Sequence, residues 1–242
     1  MIVEGINCVT ELLKSSYKME KVILDNSTNP KIDEIIALCT KRGVKFEIVD
    51  KKQLAKIAHS EHTQGVIAFV PSYEYCFVED ILKSCEEKGK APFLVMLDGI
   101  EDPHNVGAII RTAECMGVDG VIIGKNRACE INETVFKTSA GAIAFMKVAQ
   151  VTNLSQTITK LKEKNIWCYA LEAGNSTLDE TNLTGGVLLV IGSEGFGVSN
   201  LVSKTCDGTI SIPMFGQINS LNASNAGAIA MYEVVRQNRK TQ

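Results

Sequence analysis

The chain reads as an α/β protein in two parts, a small α/β unit in front and a larger one behind, built on a mostly parallel sheet. Three observations support this. Short apolar runs of strand length alternate with amphipathic stretches of helical period along nearly the whole chain. The alternation breaks once, over residues 71–92, where no long apolar element stands. The length of 242 residues is room for one large domain or two small ones.

Taken in order, residues 7–16 have the pattern of a short amphipathic helix and Lys21–Leu24 that of a strand. Residues 30–42 predict a helix with Ile32, Ile35, Ile36 and Cys39 on one face, ended by Gly43. Lys45–Val49 predicts a strand, Lys52–His59 a helix, and Gly65–Val70 a strand stopped by Pro71. The stretch Tyr73-Glu74-Tyr75-Cys76, a charged helix-like run over Val78–Lys88 and Gly89-Lys90-Ala91-Pro92 are expected to form a linker. The expected organisation is a front domain over 1–75, a linker over 76–91 and a second domain over 92–242. Strands of the second domain are predicted at Phe93–Leu97, Gly120–Ile123, Trp167–Leu171, Val187–Ile191 and Thr209–Ile212, with a long closing helix near 223–238. Strands alternating with helices imply a parallel sheet covered on both faces, and such sheets bind ligands beyond the carboxyl ends of their strands.

Composition narrows the functional classes. Hydrophobic residues at 45% and charged residues at 22% are those of a globular chain, which excludes disordered, collagenous and coiled-coil readings. No apolar run approaches the roughly 18 residues of a membrane span. The opening Met-Ile-Val-Glu-Gly-Ile-Asn lacks a basic segment followed by an apolar one, so a cytoplasmic protein is expected, with no membrane partner. The eight cysteines are scattered without a C-x-x-C pair, and His59 and His62 have neither a nearby cysteine nor a helical H-E-x-x-H pattern, so no metal is implied. Net charge is −3, from 25 basic and 28 acidic residues, nearly balanced on either side of residue 90. Neutralising phosphates demands positive charge, so composition alone argues mildly against a nucleic-acid partner.

Three segments, each directly after a predicted strand, carry the chemistry. In the first, Asp98-Gly99-Ile100-Glu101-Asp102-Pro103-His104-Asn105 leads into a helix with Val106, Ile109, Ile110 and Ala113 on one face. Asn105 is the expected N-cap, and Arg111 points away from the apolar face, in the second turn, where a cation opposes the helix dipole. Two readings stand: a surface ion pair with Glu114 or Asp102, or an arginine that meets an anion or hydroxyl at the mouth of a site. The second segment, Gly192-Ser193-Glu194-Gly195-Phe196-Gly197, has the order G-x-x-G-x-G. It is neither the dinucleotide fingerprint nor a phosphate loop with its lysine, and reads as a Gly-rich turn or a ligand loop with a carboxylate inside it. The third runs from Ile212-Pro213-Met214-Phe215-Gly216 through Asn219-Ser220-Leu221-Asn222 into a helix rich in small residues, where Asn222 or Ser220 either caps the helix or serves a site.

Together these segments, D-x-x-x-D-P-x-N-x-G-x-x-x-R, then I-G-x-E-G-x-G, then I-P-M-x-G-x-x-x-S-L-N-x-S, resemble motifs 1, 2 and 3 of the SpoU/TrmH family of RNA ribose 2′-O-methyltransferases. The front domain resembles that family's substrate-binding domain at Glu4-Gly5 and at His62-Thr63-Gln64-Gly65. The likeness spans essentially the whole chain and is greatest to the bacterial 23S rRNA guanosine-2′-O-methyltransferase branch. It implies a trefoil-knotted α/β methyltransferase domain over 92–242, with S-adenosylmethionine as cofactor. Carried over position by position, donor contacts fall on Gly192, Ile212 and Leu221, and the catalytic neighbourhood on Asn105, Arg111, Glu194, Ser220 and Asn222. It implies RNA as partner, ribosomal RNA ahead of transfer RNA, and a homodimer through the second domain; the small-residue helix, with Ala230, Val234 and Val235, is the expected contact. Asn225 departs from the small apolar residue usual at its position.

Under this resemblance Arg111 is the group expected to act on the ribose hydroxyl. A guanidinium keeps its proton at neutral pH, so it would stabilise developing negative charge while phosphate or water takes the proton, with Asn105 and Glu194 holding it and Ser220 and Asn222 shaping the donor pocket. The front domain is expected to direct substrate choice, and a fragment of residues 90–242 to fold and bind donor unaided. Two rivals remain. A dinucleotide-type enzyme would need its Gly-rich loop after the first strand of the sheet. A non-catalytic RNA-binding module would leave Arg111, Glu194 and Asn222 without a purpose.

Overall fold

The computed structural model describes residues 1–60 and 63–239; Glu61 and His62, and with His62 part of the front-domain resemblance, lie outside them. The chain divides into two compact units. One comprises Met1–Glu74 together with Glu130–Phe145, the other Tyr75–Cys129 and Met146 onward. Within the predicted second domain, residues 130–145 thus group with the front unit.

In the first unit the order is β1 (Ile2–Glu4), α1 (Ile6–Lys14), β2 (Lys21–Asp25), α2 (Pro30–Arg42), β3 (Lys45–Val49), α3 (Lys51–Ile57) and β4 (Val66–Phe69). The strands pair as β1-β4-β2-β3, with β4 antiparallel to both its neighbours and β2 parallel to β3. Local chemistry sets the helix ends. Asn29 caps α2 by accepting from the Lys31 N–H, Pro30 opens the helix, and Gly43 closes it in the left-handed conformation at φ 71°. Asp50 and Gln53 form a reciprocal capping box on α3. Val3, Leu12, Leu24, Ile35 and Cys39 are completely or almost completely buried.

The later segment of this unit carries a helix at Glu133–Thr138, and it is well anchored. The Phe136 side chain is fully buried, edge-on to Tyr17 at 5.4 Å between ring centroids, and its carbonyl accepts from the Cys8 thiol at 3.2 Å. Gly141 lies so close to α1 that an added Cβ would fall 2.8 Å from Glu11 Cβ and 3.0 Å from the Cys8 carbonyl oxygen. The Glu133 carboxylate accepts from the Ile2 N–H at 2.8 Å and meets His59 Nδ1 at 2.9 Å.

The second unit contains α4 (Val78–Glu87), β5 (Phe93–Asp98), α5 (Pro103–Cys115), β6 (Gly120–Gly124), then, after the helix Glu133–Thr138 (α6) of the other unit, β7 (Val148–Val151), α7 (Leu154–Lys162), β8 (Trp167–Thr177), β9 (Val187–Gly192), α8 (Asn200–Thr205), β10 (Gly208–Ser211) and α9 (Ala223–Asn238). Its six strands are all parallel in the order β10-β8-β9-β5-β6-β7. Every residue of β6 and β9 is buried, as helices on both faces require.

The expected linker is structured: Val78 and Ile81 of α4 belong to this unit's core, and Cys85 is buried beside them in the same helix. Ile81 seats on Gly120 of β6, where an added Cβ would stand 2.4 Å from Ile81 Cδ1. Charged residues mask the amphipathic pattern in sequence, because only one in three or four residues of α4 faces inward. The closing helix also differs from expectation. Ala230 and Val234 are buried and Val235 is half-buried; the large apolar side chains of α9 that stand exposed are Ile229 and Tyr232.

Candidate active site

The order of the six strands puts β5 beside β9, the point where the chain reverses its direction of travel across the sheet. Ligands collect beyond the carboxyl ends of strands at such points. A cavity of about 290 Å³ lies there, walled by the middle of β8, the ends of β9 and β10 and the start of α9. Its apolar walls are Leu171, Ile191, Ile212, Leu221, Ala223 and Ala226, and Glu172, Ser193, Glu194, Asn219 and Ser220 supply polar groups. A register jump opens it. β10 pairs with β8 at Tyr169 and Ala170 and resumes only at Ser176, and Leu171, Glu172 and Ala173 from the skipped stretch face the cavity.

The loop after β9 folds back on itself. Ser193 and Gly197 exchange backbone hydrogen bonds of 3.1 and 2.8 Å, and Gly197 takes φ 64°. An added Cβ on Gly192 would lie 2.1 Å from the Gly197 carbonyl carbon. Glycine is therefore required at 192 by the loop's own return, and not only by a ligand's approach. Asp98, buried at the end of β5, accepts from the Ser199 N–H at 2.7 Å and fixes the far end of this loop.

Three residues, one from each chemistry-bearing segment, meet at the cavity. Asn105 Nδ2 donates to Glu194 Oε1 at 2.9 Å, Asn222 Nδ2 donates to Asn105 Oδ1 at 2.9 Å, and Asn222 Nδ2 also donates to Glu194 Oε1. The other end of the Asn222 amide caps α9, accepting from the backbone N–H of Ser224 at 2.9 Å and of Asn225 at 3.4 Å. The expected cap of α5 is corrected. Asp102 holds that place, accepting from the His104 N–H at 2.9 Å with Pro103 at the first helical position. Aspartate directly before proline is the stronger start signal, and with the cap supplied by Asp102 the Asn105 amide is released to reach Glu194.

Of the expected donor contacts, Gly192, Ile212 and Leu221 all line the cavity, as do Glu194 and Ser220 from the catalytic set. Asn105 and Asn222 join through Glu194. Arg111 is not brought to this group. It is exposed on α5, does not line the cavity, and forms no hydrogen bond or ion pair among the described residues, neither with Asn105 and Glu194 nor with Glu114 and Asp102. Because α5 starts at Pro103, Arg111 falls in the third turn, where the dipole penalty expected of a second-turn cation is lifted. The sequence reading missed Glu172 and Met214 as cavity residues; Glu172 lies inside β8, at the jump in its register with β10, and which strand residues face a cavity depends on that pairing.

The cavity suits a small cationic nucleoside: apolar walls for a base, and the Glu172 and Glu194 carboxylates for positive charge.

Comparison with known proteins agrees with this geometry. Residues 92–232 match the SpoU rRNA Methylase family, and residues 2–76 match the RNA 2′-O ribose methyltransferase substrate binding domain. YacO of Bacillus subtilis, named for the TrmH family of tRNA/rRNA methyltransferases, is 43% identical over 235 residues, covering 96% of this chain and 94% of that protein. A Staphylococcus aureus protein named for the same family is 42% identical over 238 residues, covering 97% of this chain and 95% of its own. In fold, the chain superimposes on the SpoU methyltransferase AviRb of Streptomyces viridochromogenes, solved in complex with AdoMet, with a TM-score of 0.80 at 23% identity, over 100% of this chain and 91% of that one. The chain belongs to the SpoU rRNA methylase family.

Proposed function

We propose that this RNA methyltransferase uses S-adenosylmethionine to methylate the 2′-hydroxyl of a ribose, with a guanosine of 23S rRNA as its target. The observation that carries the proposal is the Asn105–Glu194–Asn222 network, in which side chains from three separate segments converge at one cavity. A fold kept for RNA binding alone has no need of it. The donor's sulfonium supplies an already activated methyl group, so the protein's share is alignment, charge stabilisation and a route for the proton.

Gly192, Ile212 and Leu221 would hold the donor, and the network would keep the loops after β5, β9 and β10 in fixed register around it. Ser220, exposed at the cavity wall, is within the same loop as Leu221 and is assigned to the hydroxyl side of the site. Arg111, a guanidinium without a partner among the described residues, is assigned to the RNA: it meets the ribose or its phosphate and stabilises charge as the 2′-hydroxyl loses its proton. The front unit selects the RNA, in line with its match to the substrate-binding domain. The trefoil knot of the family is assigned to the second unit. Two copies pair through that unit, and exposed Ile229 and Tyr232 on α9 suit such a contact. The protein is assigned to the cytoplasm: all eight cysteines are free thiols, as suits a compartment that keeps thiols reduced.

The test is methyl transfer from labelled donor to total RNA, followed by mapping of the product. A 2′-O-methylguanosine in large-subunit rRNA is expected. Product confined to transfer RNA moves the substrate to the other class named by the relatives, and transfer to a base nitrogen overturns the mechanism. Arg111→Lys keeps the charge but loses the planar fork, and turnover should fall by a factor of about 100 or more with donor affinity unchanged, the scale of losing one charge-stabilising donor. Light scattering over a concentration series should give twice the chain mass.

A further inference from the structure

The two most exposed aromatic rings among the described residues stand on the loops that wall the cavity. Phe196 is 96% exposed and sits between Glu194 and Gly197, both of which line the cavity. Phe215 is 98% exposed and follows Met214, which also lines it. Neither ring packs against anything in its own unit, so neither contributes to the core, and full hydration of two phenyl groups brings no stability. The loop of Phe196 is closed by the Ser193–Gly197 pairing, and that of Phe215 runs from the end of β10 to the Asn222 cap of α9.

We propose that Phe196 and Phe215 form a nucleobase subsite at the rim of the cavity, on which unstacked bases of the RNA substrate lie during methyl transfer. This rests on the proposed activity. A ribose inside a folded RNA is reached when its nucleotide is splayed from the stack, and a splayed base recovers its lost stacking on aromatic side chains. The surroundings suit a base better than a second protein. Around Phe215 the apolar residues Met214 and Ile218 alternate with Gly216, Gln217, Asn219 and Ser220. A base needs an apolar face and hydrogen-bonding edges together; a protein contact favours a continuous apolar centre. The Gln217 and Asn219 amides stand in the same loop to meet the base edge. Stacking is tolerant of base identity, so the rings position the nucleotide and leave its choice to other contacts.

The experiment uses the full chain, labelled donor and an unmodified large-subunit rRNA transcript. Phe196→Ala and Phe215→Ala should each raise the KM for RNA by about 5- to 100-fold, the range for losing one stacked base. Donor affinity by calorimetry and mass by sedimentation should not change, and Phe215→Trp should restore the KM. In a Trp167→Phe background, the Phe215→Trp emission should be quenched by the transcript, a direct signature of stacking. Unchanged KM in both alanine variants, or no quenching, overturns the subsite while leaving the activity intact. A lower mass shows that the rings bind a second copy, and weaker donor binding shows that they belong to the donor pocket; either result also overturns it. No transfer by the unaltered chain removes the activity and the subsite together.

Discussion

Asn222 uses both ends of one amide. Its oxygen caps α9 and its nitrogen ties Asn105 and Glu194, so the orientation of the helix and the geometry of the cavity are set by the same side chain. Replacement by alanine removes the cap, at about 1 kcal/mol, and leaves Glu194 with one donor fewer. Asn222→Ser keeps a capping oxygen, adds no charge beside Glu194 and loses the amide nitrogen that ties the network. Thermal unfolding should therefore show Asn222→Ala destabilised by about 1 kcal/mol and Asn222→Ser nearly neutral, while both lose most turnover. Equal stability losses in the two variants would mean the cap is not what the residue supplies. The cysteines give a second prediction at this scale. Cys115 is the exposed one, whereas burial raises Cys8, Cys168 and Cys206 to about 12. Only thiolates react quickly, so a thiol reagent at pH 8 should modify Cys115 first, and Cys115→Ser should abolish the fast phase.

At the scale of elements, what the sequence disclosed depended on length and on punctuation. The helix with Ile32, Ile35 and Cys39 inward was legible because thirteen residues hold several turns of one period and Gly43 marks the stop. Ile2–Glu4 and Val148–Val151 were not, being too short for a period of two to emerge. The site was legible through its motifs, since Asp98, Asn105, Glu194 and Asn222 belong to ordered patterns. The direction of Arg111 was legible as well, but its lack of partners among the described residues was not, because pairing depends on which residues other segments bring near. Nothing local marks the joining of α6 to β1 either. There, burial would raise the Glu133 carboxyl, but the Ile2 N–H and the His59 ring outweigh it and hold the group below its ordinary value. A carboxyl depressed in the folded state adds stability above its unfolded pKa and loses it as pH falls through the folded one. Glu133→Gln should then cost about 1 kcal/mol near neutrality, a modest sum because the group is partly exposed. The difference should vanish as acid titrates the carboxylate, and denaturant unfolding of both proteins between pH 7 and pH 3 measures it. A gap that stays constant down to pH 3 would show that the charge of Glu133 is irrelevant.

On the scale of the whole molecule, the two units are interleaved in sequence, and this changes what a truncation does. Cutting at residue 90, the boundary that composition suggests, keeps the second unit's sheet but carries along Glu130–Phe145 without the rest of its unit. Val135, Phe136 and Ile143, each at most 1% exposed in the full chain, would lose the elements that cover them. Burying side chains of this size is worth about 1.5–3 kcal/mol each, and exposed together they make an apolar patch prone to association. The fragment 90–242 should therefore keep the parallel sheet, whose strands and covering helices are mostly within it, yet bind a hydrophobic dye and aggregate at micromolar concentration. It also lacks α4, so Gly120 loses the cover of Ile81. A fragment beginning at residue 75, with Val135, Phe136 and Ile143 replaced by serine, restores that helix and removes the patch. It should stay monodisperse or dimeric and bind S-adenosylmethionine with close to full affinity, while methylating RNA poorly for want of the front unit. Calorimetry with the donor and light scattering on both fragments decide the matter. If the fragment 90–242 proves as well behaved as the longer, substituted one, the segment 130–145 folds without the front unit, and the division between the units lies elsewhere.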